Sequence, residues 1–202
     1  MSELIRDRVR LSDSARRLAL GLTGAGLFAM LTAVAAQINV PMAPLGVPLT
    51  LQTLAVVLAA LCLGPRFGAL SMGLYLLVGA MGAPVFSGHG AGVAILAGQT
   101  GGYLLGFILA QPVITWFVRA PGGAVRGWLG LSLGVIAGHL VIFAVGVPWL
   151  YVVRRVTDLP ELSIWGAIYG GMVIFLPGML LKAAIAVIIG VDVAPWAARR
   201  VW

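Results

Sequence analysis

The sequence predicts an all-α integral membrane protein of six transmembrane helices, and three observations carry that prediction. Of 202 residues, 61% are hydrophobic and only 9% charged, with a mean hydropathy of +1.07; soluble domains carry about 25% charged residues. The apolar residues gather into runs near the roughly 20 residues that a helix needs to cross the bilayer core. The arginines fall between those runs, heavily on alternate sides, which is the pattern of a membrane topology signal.

Arg6, Arg8, Arg10, Arg16 and Arg17 precede the first run, Leu18–Ala36. Ala33-Val34-Ala35 resembles a cleavage site, but the run exceeds the usual length of a signal core and several spans follow, so it reads as a retained helix. Leu49–Leu63 and Phe67–Gly82 come next; both are short and should not reach both surfaces unaided. Gly101–Val118, Trp128–Val147 and Phe175–Ala194 complete the six. With the N-terminus inside, ten of the twelve arginines are cytoplasmic and only Arg154 and Arg155 lie outside. That orientation requires an even number of spans and puts both termini in the cytoplasm. Residues 1–16 become a cytoplasmic tail on one membrane domain covering 1–202. Joined to the last run, Ser163–Val173 would make a helix too long for one crossing. It is therefore expected as a short outer helix or re-entrant piece, with Pro177 in the first turn of a new helix, where its missing N–H is harmless.

The outer connections differ in character. Ile38–Pro48 holds Pro41, Pro44 and Pro48 and cannot be helical throughout. Ala83–Thr100 is glycine-rich, carries no formal charge and includes an apolar patch, Val93–Ala97. Apolar loops at membrane depth are tolerated where they are buried in protein or line a cavity, so these two are expected to lid a pocket. The third, with Arg154, Arg155, Asp158 and Glu161, reads as a solvated loop. Small residues recur at every fourth position in three stripes: Gly21, Ala25, Ala29 and Ala33; Gly98, Gly102, Gly106 and Ala110; Gly130, Gly134 and Gly138. Such stripes allow close backbone approach. The second and third read as internal packing, while the first could pack internally or dock another membrane protein.

Several chemistries are excluded. The six acids (Glu3, Asp7, Asp13, Asp158, Glu161 and Asp192) all lie in tails, in the third outer loop or at the inner end of the last run. No carboxylate pair within a span could hold magnesium, and no intramembrane acid could couple a carrier to protons or sodium. Cys62 is the sole cysteine, which precludes an internal disulfide and a cysteine-based metal site. His89 and His139 are far apart, and His139 reads as a hydrogen-bonded structural histidine. No phosphate-cradling loop is present, so the chain does not itself hydrolyse ATP. The chain is expected not to be an enzyme and to need no cofactor or metal.

The polar groups that remain are mostly neutral: Gln37, Asn39, Thr50, Gln52, Thr53, Gln99, Thr100, Tyr103 and Lys182. They fall at the outer ends of spans one, two, four and six, and a few convergent polar groups with aromatic neighbours describe a small-molecule pocket. Lys182 is the only lysine in the chain. An ammonium near the centre of a membrane helix costs roughly 2.5–3.5 kcal/mol. Position 179, one turn back, is Met rather than an acid, so a polar cavity or an anionic ligand must satisfy the charge.

The run Ala36 to Thr53 (AQINVPMAPLGVPLTLQT) resembles the signature of the BioY family, the biotin-binding substrate-capture subunits of energy-coupling-factor transporters. So do LGPRFGAL at 63–70, YLLVGAMGAPVF at 75–86, GQTGGY at 98–103 and FLPGMLLK at 175–182. This resemblance implies six membrane helices in the plasma (inner) membrane of a prokaryote and a biotin pocket near the outer face. The ligand-binding set it implies, together with the polar cluster, is Gln37, Asn39, Gln52, Phe86, Gln99, Thr100, Tyr103 and Lys182. It further implies a transmembrane coupling subunit and two ATP-binding subunits as partners, docked on the stripe of Gly21, Ala25, Ala29 and Ala33. Two positions depart from the family pattern: Gln99 stands where a proline is usual, and Met179 where an aspartate is usual. That aspartate would accept from the ureido N–H groups of biotin, a role Gln99 is expected to take here. The alternative reading is a stand-alone or oligomeric vitamin carrier acting without the ATPases.

Overall fold

A computed structural model describes residues 2–40, 47–157 and 159–202, with the side chains of residues 2–12 left aside; Pro41, Pro44 and Asp158 lie outside the described residues. Helix α1 spans Ser2–Gln37. It starts far ahead of the apolar run because no glycine or proline interrupts residues 2–20. A two-residue antiparallel ladder follows, β1 (Asn39–Val40) with β2 (Leu49–Thr50), pairing Asn39 with Thr50. The remaining helices are α2 (Gln52–Ala80), α3 (Val93–Ala97), α4 (Gly101–Val118), α5 (Trp128–Val156), α6 (Ile164–Gly171) and α7 (Leu176–Arg200).

Helix α2 is not straight. Gly64 takes φ 71° and ψ −171° within it, a conformation that side-chain-bearing residues rarely reach. The Gln52 side-chain amide donates to the Tyr75 hydroxyl at 2.7 Å across 23 positions, whereas a straight helix would hold those residues about 35 Å apart. The chain therefore reverses at Gly64. Its arms, 52–63 and 65–80, rise about 18 and 24 Å, short of the roughly 30 Å hydrocarbon core. They correspond to the two short runs of the sequence. Counted this way, five helices long and apolar enough to cross a membrane give six passes, because one of the five is a hairpin. The last of those five stretches is itself broken: Met172 leaves helical geometry (φ −138°), a tight turn spans Val173–Phe175, and Pro177 sits in the first turn of α7. The short outer helix is thus α6, its first turn capped by the Ser163 hydroxyl accepting from the Gly166 N–H at 3.0 Å.

The tightest helix pair is α4 with α5. A Cβ at Gly102 would collide with Trp149, at Gly106 with Ile142, and at Gly134 or Gly138 with Ile114, so both later stripes meet at this seam. Gly98 is an exception, lying just past α3, where its carbonyl accepts from the Trp149 indole N–H at 2.9 Å. Gln111, fully buried, ties this pair to the first arm of α2 by donating to the carbonyls of Val56 and Phe107 at 3.1 and 3.0 Å.

The α1 stripe is taken up within the chain over part of its length. Gly21 lies under the Phe67 ring, Ala25 is 0% exposed, and Ala29 and Ala33 are half-buried against the core. Small residues on that face let the second arm of α2 approach at Gly21 and Ala25, while Ala29 and Ala33 stay partly accessible. Beside them the open face of α1 carries Leu27, Met30, Leu31 and Val34.

Charge segregates to the two ends of the bundle. Arg16, Arg17, Arg199 and Arg200 line one groove with Asp13, so this part of α1 lies beside the end of α7, and the Trp202 indole abuts Gly64 at the α2 turn. Arg200 stacks on Trp196 at 4.6 Å, and at the opposite end Arg155 stacks on Tyr151 at 4.8 Å. Arg154 is not a solvated side chain as its loop suggested: it is 4% exposed and donates to the Pro160 carbonyl at 3.2 Å.

Candidate functional site

At the end of the bundle opposite the chain termini lies a cavity of about 730 Å³, within the range of small-molecule sites. Its rim is the β1–β2 ladder and the 86–100 connection, its sides are the starts of α2 and α4, and its depth is formed by α5 and α7. Seven of the eight sequence-selected ligand residues line it: Asn39, Gln52, Phe86, Gln99, Thr100, Tyr103 and Lys182. Gln37 does not.

Gln37 works from behind the wall. Its amide nitrogen donates to the carbonyls of Ala33, Val85 and Phe86 at 3.1, 3.3 and 3.1 Å, and its amide oxygen accepts from the His89 N–H at 3.1 Å. The end of α1 is thereby fastened to the loop that carries Phe86. His89 is the one non-glycine residue with positive φ among those described, at 61°, and the Gln37 contact holds that turn. Phe86 is 2% exposed, meets Tyr75 edge-on at 5.5 Å, and covers Gly79, where a Cβ would overlap its ring. The Tyr75 hydroxyl receives from Gln52 and donates to the Val85 carbonyl at 3.2 Å. One chain of hydrogen bonds thus sets both Gln52 and the aromatic lid.

On the far side, the Tyr103 hydroxyl donates to the Gly171 carbonyl at 2.8 Å, joining α4 to α6. Its ring presses on Gly146, where any Cβ would overlap it. Tyr103 is therefore a wall residue whose polar tip is already engaged.

Lys182 is 7% exposed, and its Nζ donates to the Thr50 carbonyl at 3.0 Å. That bond crosses 132 positions and ties α7 to β2 at the cavity mouth. An ammonium has three donors, so two remain for a ligand. Among the lining residues Lys182 is the sole formal charge, and no carboxylate accompanies it. Met179, one turn earlier, lines the same wall. The cavity is a largely apolar chamber with one cation, suited to an anionic head on an otherwise neutral molecule.

Among the cavity-lining residues described, Thr53 Oγ1, Gln99 Oε1 and His139 Nε2 are buried polar atoms without a hydrogen-bond partner. Thr53 and Gln99 stood in the sequence-level polar cluster; His139 did not, since nothing in a Gly-His-Leu context marks the wall its ring faces. Among the described residues no group of three His, Cys, Asp or Glu is placed to hold a metal ion.

Comparison with known proteins gives a consistent picture. The BioY family model matches residues 8–199. The "Probable biotin transporter BioY" of Pyrococcus horikoshii is 40% identical over 163 residues, 81% of this chain and 89% of that one. The "Biotin transporter BioY" of Rhodobacter capsulatus is 35% identical over 180 residues, covering 85% and 91%. That of Thermotoga maritima is 44% identical over 126 residues, covering 62% and 71%. Among solved structures, the S-component for biotin from an ECF-type ABC transporter superposes with a TM-score of 0.75 at 23% identity, covering 85% of this chain and 89% of that one. This last likeness establishes a shared fold.

Proposed function

The chain belongs to the BioY family, and from that premise we propose that it is the biotin-capturing membrane subunit of an ATP-driven importer of the energy-coupling-factor type. It takes biotin at the outer face and hands it inward. The observation that carries this reading is the cavity itself: an apolar chamber of about 730 Å³ under an aromatic lid, with Lys182 as its sole formal charge. Biotin matches that chamber chemically, with one carboxylate, a neutral ureido ring that both donates and accepts, and an apolar body. Lys182 receives the carboxylate or a carbonyl oxygen. Gln52, Gln99 and Asn39 supply neutral hydrogen bonds, and Phe86 and Tyr103 supply apolar walls, while Gln37 holds the lid in place. The work of the site is binding rather than catalysis.

The whole of 1–202 acts as one membrane domain, multi-pass in the inner membrane of a prokaryote, with both termini cytoplasmic. A transmembrane coupling subunit and two ATP-binding subunits complete the importer. Docking is assigned to α1, the least covered of the crossing helices, through the small-residue stripe of Gly21, Ala25, Ala29 and Ala33 where it stays accessible, at Ala29 and Ala33, together with the open face around Met30 and Val34. The test is uptake of labelled biotin by cells that can neither make nor import it. Expression of this chain with its ATP-binding and coupling subunits should restore uptake. Full uptake by the chain alone would instead establish the stand-alone carrier, and no uptake of biotin in either setting would refute the assignment.

A further inference from the structure

His139 lies within α5, is 1% exposed, and lines the cavity. Its Nδ1 is 2.9 Å from the Val135 carbonyl oxygen. A carbonyl only accepts, so this geometry assigns the ring proton to Nδ1. Nε2 is buried and has no partner among the described residues. On a wall with Lys182 as its one cation and no carboxylate, a second buried cation would have nothing to balance it. The neutral ring then leaves an unpaired lone pair on Nε2, beneath the surface of a residue that lines the chamber. A buried acceptor without a donor is costly in the empty protein, and such groups are uncommon enough to need a reason. Two more acceptor atoms in the cavity lining, Gln99 Oε1 and Thr53 Oγ1, are in the same condition. A donor arriving with the ligand would complete them.

Resting on the biotin reading above, we propose that His139 is a ligand-binding and specificity-determining residue, its Nε2 accepting a hydrogen bond from a ureido N–H of biotin. The ureido nitrogens are the only donors biotin offers at neutral pH; its carbonyl oxygen and carboxylate are acceptors and would face the Nε2 lone pair unfavourably. His139 therefore selects for ligands that carry an N–H at this point of the chamber. Lys182 selects for an acceptor or an anion elsewhere. The two residues together recognise a cyclic urea or amide bearing a carboxylate, and discriminate against carboxylates of equal bulk with no N–H.

The test compares biotin with its two ureido N-methyl derivatives on the purified full chain. His139→Phe keeps an aromatic ring but cannot accept, and should bind biotin about tenfold more weakly. His139→Gln, which restores an acceptor, should recover most of that loss. One N-methyl derivative, the one lacking the facing donor, should bind parent and His139→Phe alike. Equal affinity of parent and His139→Phe for biotin overturns the proposal, as does an equal loss for biotin and both derivatives, the mark of a purely structural role. Should His139→Phe fail to fold, the parent decides through its imidazole ¹⁵N spectrum, with His89→Asn used to assign the signals. Saturation with biotin must move the Nε2 resonance of His139 upfield, and an unmoved signal sinks the idea. Failure confined to His139 leaves the biotin assignment standing, whereas a parent that takes no biotin at all removes both.

Discussion

Replacing Lys182 by Met tests the charge logic of the cavity. The side chain keeps most of its length and apolar stem but loses the ammonium. In the empty protein one donor of that ammonium is spent on the Thr50 carbonyl at 3.0 Å, which leaves two for a ligand. A hydrogen bond between an ionised group and its partner contributes about 1.5–3 kcal/mol. At 1.4 kcal/mol per factor of ten, Lys182→Met should weaken biotin binding by roughly 10- to 150-fold. Stability of the empty protein should change little. Loss of the Thr50 bond destabilises, but removing a 7%-exposed cation with no carboxylate among the lining residues relieves a desolvation cost of the opposite sign. The assay is calorimetric titration of detergent-purified parent and variant with biotin and with biotin methyl ester, alongside thermal melts without ligand. The parent should prefer the free acid over the ester, and the variant should lose most of that preference. Unchanged biotin affinity in Lys182→Met would refute the reasoning, whereas a large affinity loss with the acid–ester preference intact would put a carbonyl oxygen of the ligand, not its carboxylate, on Lys182.

Three other outcomes are expected. A reporter fused after Trp202 should be active only when cytoplasmic enzymes are assayed, because the C-terminal Trp202 packs on Gly64 at the arginine-rich end of the bundle; activity outside the membrane would overturn the six-pass topology. Gly64→Ala should lower stability by about 1–3 kcal/mol through its positive φ of 71°, and an unchanged melting temperature would show that the hairpin does not depend on that geometry. Ala25→Trp, at a fully buried position, should disrupt folding, whereas Met30→Trp, at 66% exposure, should spare biotin binding and reduce co-purification with a coupling subunit. The reverse pattern would put the docking contact on the buried part of the stripe, at Ala25.

Much of the architecture was legible in the sequence because membrane insertion depends on coarse quantities. Run length, arginine placement and prolines locate spans without knowledge of neighbours, and Pro177 marked the start of α7 for the same local reason. The two short runs on either side of Gly64 were visible as consecutive spans, turning back at Arg66; that their far ends meet became evident only from Gln52 bonding Tyr75. A stripe of small residues states that something comes close but not what, so the sequence left the α1 stripe open between α2 and another protein; Phe67 over Gly21 fills one end of it, while Ala29 and Ala33 stay partly accessible. The polar residues of the cavity were identifiable because amides and hydroxyls are rare in an apolar chain. Gln37 shows the limit of that inference. It belongs to the cluster in sequence, yet its hydrogen bonds all run to the chain behind the wall. His139 was hidden for the opposite reason: one nitrogen is satisfied four residues back on its own helix, the local pattern of a structural histidine, and only the three-dimensional position of the other nitrogen gives it a second face.

Equilibrium binding of biotin to the purified chain in lipid nanodiscs tests the central claim most directly. The account predicts saturable binding at one biotin per chain, competed by unlabelled biotin and weakened by biotin methyl ester. Absence of saturable binding by a folded protein, or binding that Lys182→Met leaves untouched in both affinity and ester preference, would contradict it.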